Sequence, residues 1–177
     1  WSGTNFDISV LSVEGDRAIK PLLHEACNEW QSRISPDGRW MAYASDESGQ
    51  YEIYVCPFPE VNKGRWKVST NSGIHPLWSR DGRELFYWTN NALMAVPVAT
   101  APTFIHGTPK AQLQRTPVYA RFSGVTVIPW DISPDGKRFL MLKEVPSTAK
   151  PAAAEAPRKI NLVVNWFEEL KQRVPLK

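Results

Sequence analysis

Apolar and polar residues alternate along this chain in short runs of period two, and turn-forming residues interrupt the runs every few positions, which is the pattern of β-strands and tight turns. From Trp30 onward it predicts four strands in succession, Trp30–Ile34, Arg39–Ser45, Tyr51–Cys56 and Trp66–Ser69. The turn Asp46-Glu47-Ser48-Gly49 joins the second to the third, and Asn62-Lys63-Gly64 joins the third to the fourth. Tyr51, Ile53 and Val55 fall on one face of the third strand. Pro57 and Pro59 end that strand, because proline donates no ladder hydrogen bond.

The order then repeats. Ile74–Trp78, Glu84–Trp88, Leu93–Val98 and Lys110–Gln114 read as a second set of four, followed by an insertion at Thr116–Gly124. A third set opens with Val127–Ile132 and Arg138–Lys143. The stretch Pro146–Arg158, rich in Ala, Pro and Lys, has no periodicity and reads as a mobile hairpin loop before a third strand at Ile160–Val164. Ahead of all these, Phe6–Leu11 and Ala18–Leu23 read as the third and fourth strands of an earlier set. At the other end Asn165 caps a short helix, Glu168 takes the answering capping-box position, Trp166, Phe167, Leu170 and Val174 share a face, and Pro175 stops it.

One motif marks the sets. Ser35-Pro36-Asp37-Gly38 recurs as Ser79-Arg80-Asp81-Gly82 and Ser133-Pro134-Asp135-Gly136, at spacings of 44 and 54 residues. Each copy follows a bulky residue (Ile34, Trp78, Ile132) and precedes a basic one (Arg39, Arg83, Lys137). Proline presets φ at the first turn position, Asp bonds local backbone at the second, and Gly supplies the positive φ that returns the chain to the next strand. Four strands repeating at roughly 40–45 residues are the signature of propeller blades. The fold expected is therefore all-β, a β-propeller of four-stranded antiparallel blades. It would comprise a half blade at residues 5–24, blades at 28–70 and 73–115, an incomplete blade at 125–166 and the C-terminal helix at 166–174, so that the chain begins partway through a blade.

Composition narrows the class further. With 177 residues, 42% of them hydrophobic and 22% charged, the chain is a globular domain and not a disordered one. A net charge of +3 is too mild to argue for nucleic acid or an anionic membrane as partner. No apolar run is long enough to span a bilayer, and the opening Trp1-Ser2-Gly3-Thr4 has no signal-peptide character. Eight Trp, five Tyr and seven Phe beside fifteen Pro and ten Gly again favour strands and turns.

The segments SPDGRWMAYASDESGQYEIYVCPFP (Ser35–Pro59), WSRDGRELFYWTNNALMAVPV (Trp78–Val98) and WDISPDGKRFLMLKE (Trp130–Glu144) resemble the TolB-type, WD40-like propeller repeat. The closing INLVVNWFEELKQRVP is similar to the C-terminal end of propellers found behind bacterial serine/threonine kinase domains. The resemblance runs from about Asn5 to Pro175. It implies a non-catalytic module that binds a protein or small ligand, a sensor or scaffold region of a bacterial signalling or envelope protein in an extracytoplasmic or periplasmic setting. The same repeats also form the substrate-gating propeller of prolyl-peptidase-like hydrolases, which is the alternative. Members usually close a ring of six or more blades, and this chain is too short for that.

Candidate chemistry is sparse. The chain has no Gly-x-Ser-x-Gly elbow, no kinase Gly-rich loop and no His-Arg-Asp run, so no catalytic residues and no enzyme activity are expected. His24, His75 and His106 share no ligand spacing, Asp37, Asp81 and Asp135 read as turn formers, and Asp46-Glu47-Ser48-Gly49 lacks a calcium-loop array; no metal or cofactor is expected. Cys56 reads as a small filler in its strand, and whether it meets Cys27 is open. The tryptophans read as packing between sheets. The better-founded site is the first strand of each set, which in a propeller lines the central channel. It carries Glu29, Gln31 and Arg33 in one set, His75 in the next and Asp131 in the third, and polar groups there must meet water, an ion or a ligand. Finally, about three and a quarter blades leave exposed ends, so two copies related by a two-fold axis would close a six-bladed ring as a homodimer.

Overall fold

The repeated turn is a hydrogen-bonded device in which the serine does as much as the aspartate and glycine. In this computed structural model, which describes residues 6–114 and 130–141, Gly38, Gly82 and Gly136 have φ of 73°, 69° and 69°. Their N–H groups donate to the carbonyls of Ser35, Ser79 and Ser133 at 2.9, 3.0 and 2.8 Å. Ser35 Oγ donates to Asp37 Oδ1 at 2.6 Å and accepts from Trp40 N at 3.0 Å, while the same Asp37 oxygen accepts from Arg39 N at 3.1 Å. The pattern recurs on Ser79 and Asp81 with Arg83 and Glu84, and on Ser133 and Asp135 with Lys137 and Arg138. Arg80 replaces proline in the second copy without altering the arrangement, so the Ser–Asp relay, not the proline, is the invariant part of this turn.

These turns close antiparallel hairpins throughout, and the described residues all belong to one compact unit, Trp1–Val145. Strands β1 (Ile8–Leu11) and β2 (Ile19–Leu23) pair with each other. Strands β3 (Glu29–Ile34), β4 (Trp40–Ser45), β5 (Glu52–Pro57) and β6 (Trp66–Lys67) form a four-stranded meander in chain order. Strands β7 (Ile74–Trp78), β8 (Glu84–Trp88) and β9 (Ala92–Ala99) form the next sheet, whose β9 edge is shared by β10 (Ile105–His106) and β11 (Lys110–Gln114). A last hairpin joins β12 (Trp130–Ile132) to β13 (Phe139–Met141). The all-β, antiparallel expectation is thus met. The expected insertion at Thr116–Gly124, the loop at Pro146–Arg158, the strand at Ile160–Val164 and the helix at 166–174 lie outside the described residues.

Differences from the sequence reading have local causes. Strand β4 starts at Trp40 because the Arg39 N–H belongs to the turn. Strand β6 stops at Lys67, short of Ser69, because Ile53 N donates to the Ser69 hydroxyl at 2.7 Å in place of a backbone carbonyl. Strand β10 has only two residues, too few for any periodicity to reveal. Pro57 stands at the last position of β5, where a missing donor does least harm.

Side chains from both faces of the central strands are buried. Ala42, Ala44, Ile53 and Val55 pack with Leu85, Tyr87, Val96 and Trp78, so one core lies between the β3–β6 and β7–β9 sheets. Phe104 sits within it, its ring 5.4 Å from Trp40, 5.7 Å from Trp66 and 6.3 Å from Trp78. Met41, Tyr43, Tyr54 and Cys56 point the other way and meet Ile8 and Leu23 of the first hairpin. Phe86, Trp88, Leu93 and Ala95 meet Trp130 of the last. Each such large side chain contributes about 1.5–3 kcal/mol when fully buried. Among the described residues no helix is long and apolar enough to cross a membrane.

Candidate functional site

The first strands of the two larger sheets carry the same irregularity. Between Trp30 and Arg33 three steps on β3 oppose two on β4, Ala44 to Ala42, and between Ile74 and Leu77 three steps on β7 oppose two on β8, Trp88 to Phe86. Each bulge holds one left-handed residue, Gln31 at φ 56° and His75 at φ 55°. For side chains of this size that conformation is strained, and bulges of this kind re-aim side chains. Here the re-aimed Gln31 Oε1 accepts the His75 N–H at 2.8 Å, and Trp78 Nε1 donates to the Arg33 carbonyl at 3.0 Å. The two bonds stitch β3 to β7.

The expected site residues therefore fare differently. A strict alternation would set Glu29, Gln31 and Arg33 on one face. The extra residue breaks it: Glu29 opposes Ser45 and Arg33 opposes Ala42, and those two partners lie on opposite faces of β4. Glu29 is buried, at 2% exposure. Gln31 and His75 are brought together, half-buried. Arg33 is half-buried and its Nη1 donates to the neighbouring Ser32 carbonyl at 3.2 Å. Asp131 is exposed and its Oδ1 accepts the Ile132 N–H at 2.8 Å; no hydrogen bond joins it to the other four. Glu29 Oε2, Trp30 Nε1 and Gln31 Nε2 are buried and have no hydrogen-bond partner among the described residues.

Near the start of β3 the chain forms an open recess of about 710 Å³ that the sequence reading did not single out. Its walls come from the β2–β3 connection (Glu25, Cys27, Asn28), the β4–β5 turn (Asp46, Glu47) and Arg65 before β6. Asp46 accepts the Asn28 N–H at 2.8 Å and its Nδ2 at 2.7 Å, and these bonds lower its pKa. Arg65 pairs with Glu47 at 2.6 Å and lies 5.6 Å over the Tyr54 ring. Cys27 Sγ donates to Glu29 Oε1 at 2.9 Å. Burial, and then the Glu29 carboxylate, raise the Cys27 thiol pKa, so this thiol is a donor and not a ready nucleophile. Nothing in the local sequence pattern announces the recess, because its acidic residues sit in separate turns that each read as ordinary loop.

Other candidates resolve simply. Both cysteines are free; Cys56 is buried in β5 and burial pushes its thiol up to about 12. His24 pairs with Asp7 at 2.7 Å, and His106 stacks on Phe104. Among the described residues no three of His, Cys, Asp and Glu stand in a metal-ligating group. No protein-family model matches the chain, and no curated protein matches it.

Proposed function

We propose that this chain is part of a β-propeller that binds a protein or small ligand through the polar first strands of its sheets and carries out no chemistry itself. The observation that supports this reading best is the Gln31–His75 stitch. Two sheets of one repeat place equivalent, strained, polar residues side by side on their first strands, 44 positions apart in sequence. Backbone strain of that kind persists where a structure over-determines it, and it concentrates at sites that recognise something. The resemblance to TolB-type repeats points the same way, to a sensor or scaffold region of a bacterial signalling or envelope protein. The exposed Phe6, Leu11, Val13 and Ile19 around the first hairpin suit the two-fold pairing that would close a six-bladed ring. The rival, a gating propeller of a prolyl-peptidase-like hydrolase, has the same repeats and differs in needing a catalytic domain.

The test uses a defined library of short peptides added to isotope-labelled chain. Amide shifts should cluster at Glu29–Arg33 and Ile74–Trp78, and the peptide masses should stay unchanged on prolonged incubation. Shifts confined to other strands would remove the site, and time-dependent cleavage that copurifies with the chain would remove the non-catalytic reading.

A further inference from the structure

The first hairpin meets the β3–β6 sheet across a seam that contains a buried carboxyl group. Met41, Tyr43 and Ser45 alternate along β4 and so share a face, and on that face Met41 and Tyr43 pack with Ile8 and Leu23 of the hairpin. Glu29 is the cross-strand partner of Ser45, which puts its side chain on the same face. The Glu29 N–H donates to the Phe6 carbonyl at 2.7 Å, and Phe6 N donates to Asn28 Oδ1 at 3.0 Å. These two bonds tie the residues entering β1 to those entering β3. The Glu29 carboxyl thus lies between the hairpin and the sheet, and the fold leaves it 2% exposed.

The groups around it do not offset its charge. Cys27 Sγ donates to Oε1 at 2.9 Å, and the Glu25 N–H also favours the ionised form. Burial outweighs both bonds, and the charges of Asp7 and Glu25 add repulsion, so the Glu29 pKa stands above its ordinary 4.5. The nearby basic groups are committed elsewhere. His24 pairs with Asp7 at 2.7 Å, and Arg65 pairs with Glu47 at 2.6 Å and also faces Glu25. From the β4–β5 turn, Asp46 is held by Asn28.

We propose that this seam is a pH-sensitive latch: the first hairpin docks firmly on a neutral Glu29 and loosens when Glu29 ionises. Lifting the hairpin admits water to the carboxyl and lets its pKa relax toward the ordinary value. Docking is therefore strongest at a pH where Glu29 is neutral in both states. It weakens as pH rises between the two pKa values and levels off above the docked one. The hairpin region carries the exposed Phe6, Leu11, Val13 and Ile19, so the latch governs how that apolar surface is presented. The inference holds whether or not the first strands bind a ligand.

Hydrogen exchange of the full chain from about pH 4 to about pH 8 tests it, read as protection factors corrected for the intrinsic effect of pH. Protection at Ile8–Leu11 and Ile19–Leu23 should fall as pH rises, by up to roughly tenfold per pH unit, and then level off, while β4 and β5 stay constant. The fall should track the Glu29 carboxyl titration followed by carbon NMR. Glu29→Gln should hold the hairpin at the acid level of protection throughout. Glu25→Gln removes one repelling charge from the surface, so it should move the fall to lower pH, and it keeps the test open if Glu29→Gln unfolds. A hairpin whose protection ignores pH would overturn the proposal, as would a fall shared equally by β4 and β5. A fall that persists in Glu29→Gln would assign the effect to the His24–Asp7 pair and overturn it too, and so would a fall left in place by Glu25→Gln.

Discussion

Glu52 offers the sharpest test of how this fold is held together. It opens β5, is 1% exposed, and is satisfied by three donors: Gln50 Nε2 at 3.1 Å, Lys67 Nζ at 3.1 Å and the Ser69 hydroxyl in a short contact. Burial alone would raise its pKa; the hydrogen bonds from Ser69, Lys67 and Gln50 outweigh it and hold the carboxyl below its ordinary value. Ser69 in turn accepts the Ile53 N–H, so this one carboxylate fixes the strand end where β6 stops pairing. Glu52→Gln keeps the shape and removes the charge. Hydrogen bonds to a charged group contribute roughly 1.5–3 kcal/mol each, and breaking a fully buried ion pair costs roughly 3–5 kcal/mol. Lys67 is nearly half exposed, which screens its share. The expected loss is therefore about 2–3 kcal/mol at neutral pH, read as a lower urea midpoint by tryptophan fluorescence with an unchanged slope. The sign with pH is fixed: a carboxyl whose folded pKa is depressed stabilises the fold above its unfolded pKa, and that stabilisation is lost as pH falls through the folded value. The gap between parent and variant should be full at pH 7 and should narrow on acidification. Equal midpoints at pH 7, or a gap that stays constant into acid, would refute the assignment of Glu52 as an ionised latch.

Three further outcomes follow from the packing. In Gly73→Ala the new Cβ would stand 2.7 Å from Ile53 Cγ1 and 2.9 Å from Ser69 Cβ and Oγ, inside the same latch, and the overpacking should cost about 1–3 kcal/mol in the urea midpoint; an unchanged midpoint would mean that β5 and the residues before β7 are looser than described. Burial works against ionisation of Asp37, but bonds from Ser35, Arg39 and Thr100 hold its pKa down at about 2, so the stability lost in Asp37→Asn should be present above the ordinary value of 3.8 and vanish as pH falls through about 2; a deficit that persists below that would point to shape and not charge. Maleimide on the native chain should modify at most Cys27, because Cys56 is 1% exposed and its thiol titrates near 12; two labels per native chain, by intact mass, would contradict this.

The strands were legible because the apolar alternation and the turn motif agree on them. Ser35, Ser79 and Ser133 show what the motif hid: read as part of the turn sequence alone, the serine looks like a filler, whereas its hydroxyl links the aspartate to the returning strand in all three copies. Side chains that substitute for backbone are the general reason strand ends were misplaced. Ser69 ends β6 by taking the Ile53 N–H, and the Asp37 carboxylate delays β4 by taking the Arg39 N–H. Neither bond has a signature in hydrophobic periodicity, because serine and aspartate are equally at home in an ordinary turn.

The site was less legible for a reason that lies in β3 itself. Period-two reasoning assigns faces by parity, and one inserted residue reverses the parity of everything beyond it. Without the bulge, Glu29 would share a face with Arg33 and the two would read as partners on one polar stripe. With it, Glu29 turns inward at the head of the strand, Gln31 turns to the neighbouring sheet, and Arg33 follows the opposite face. The same slip at His75 keeps the two bulges in step, which is why Gln31 and His75 still meet although neither position carries the Gly or Asn that usually takes a left-handed conformation. The repeat thus preserves the irregularity along with the strands. A residue-by-residue comparison of the two sets would have found the equivalence of Gln31 and His75 but not their conformation, since the strain is imposed by tertiary packing and not by local preference. The acidic recess is the complementary case: each of its turns is conventional alone, and its charge appears only when three connections distant in sequence are brought to one end of the β3–β6 sheet.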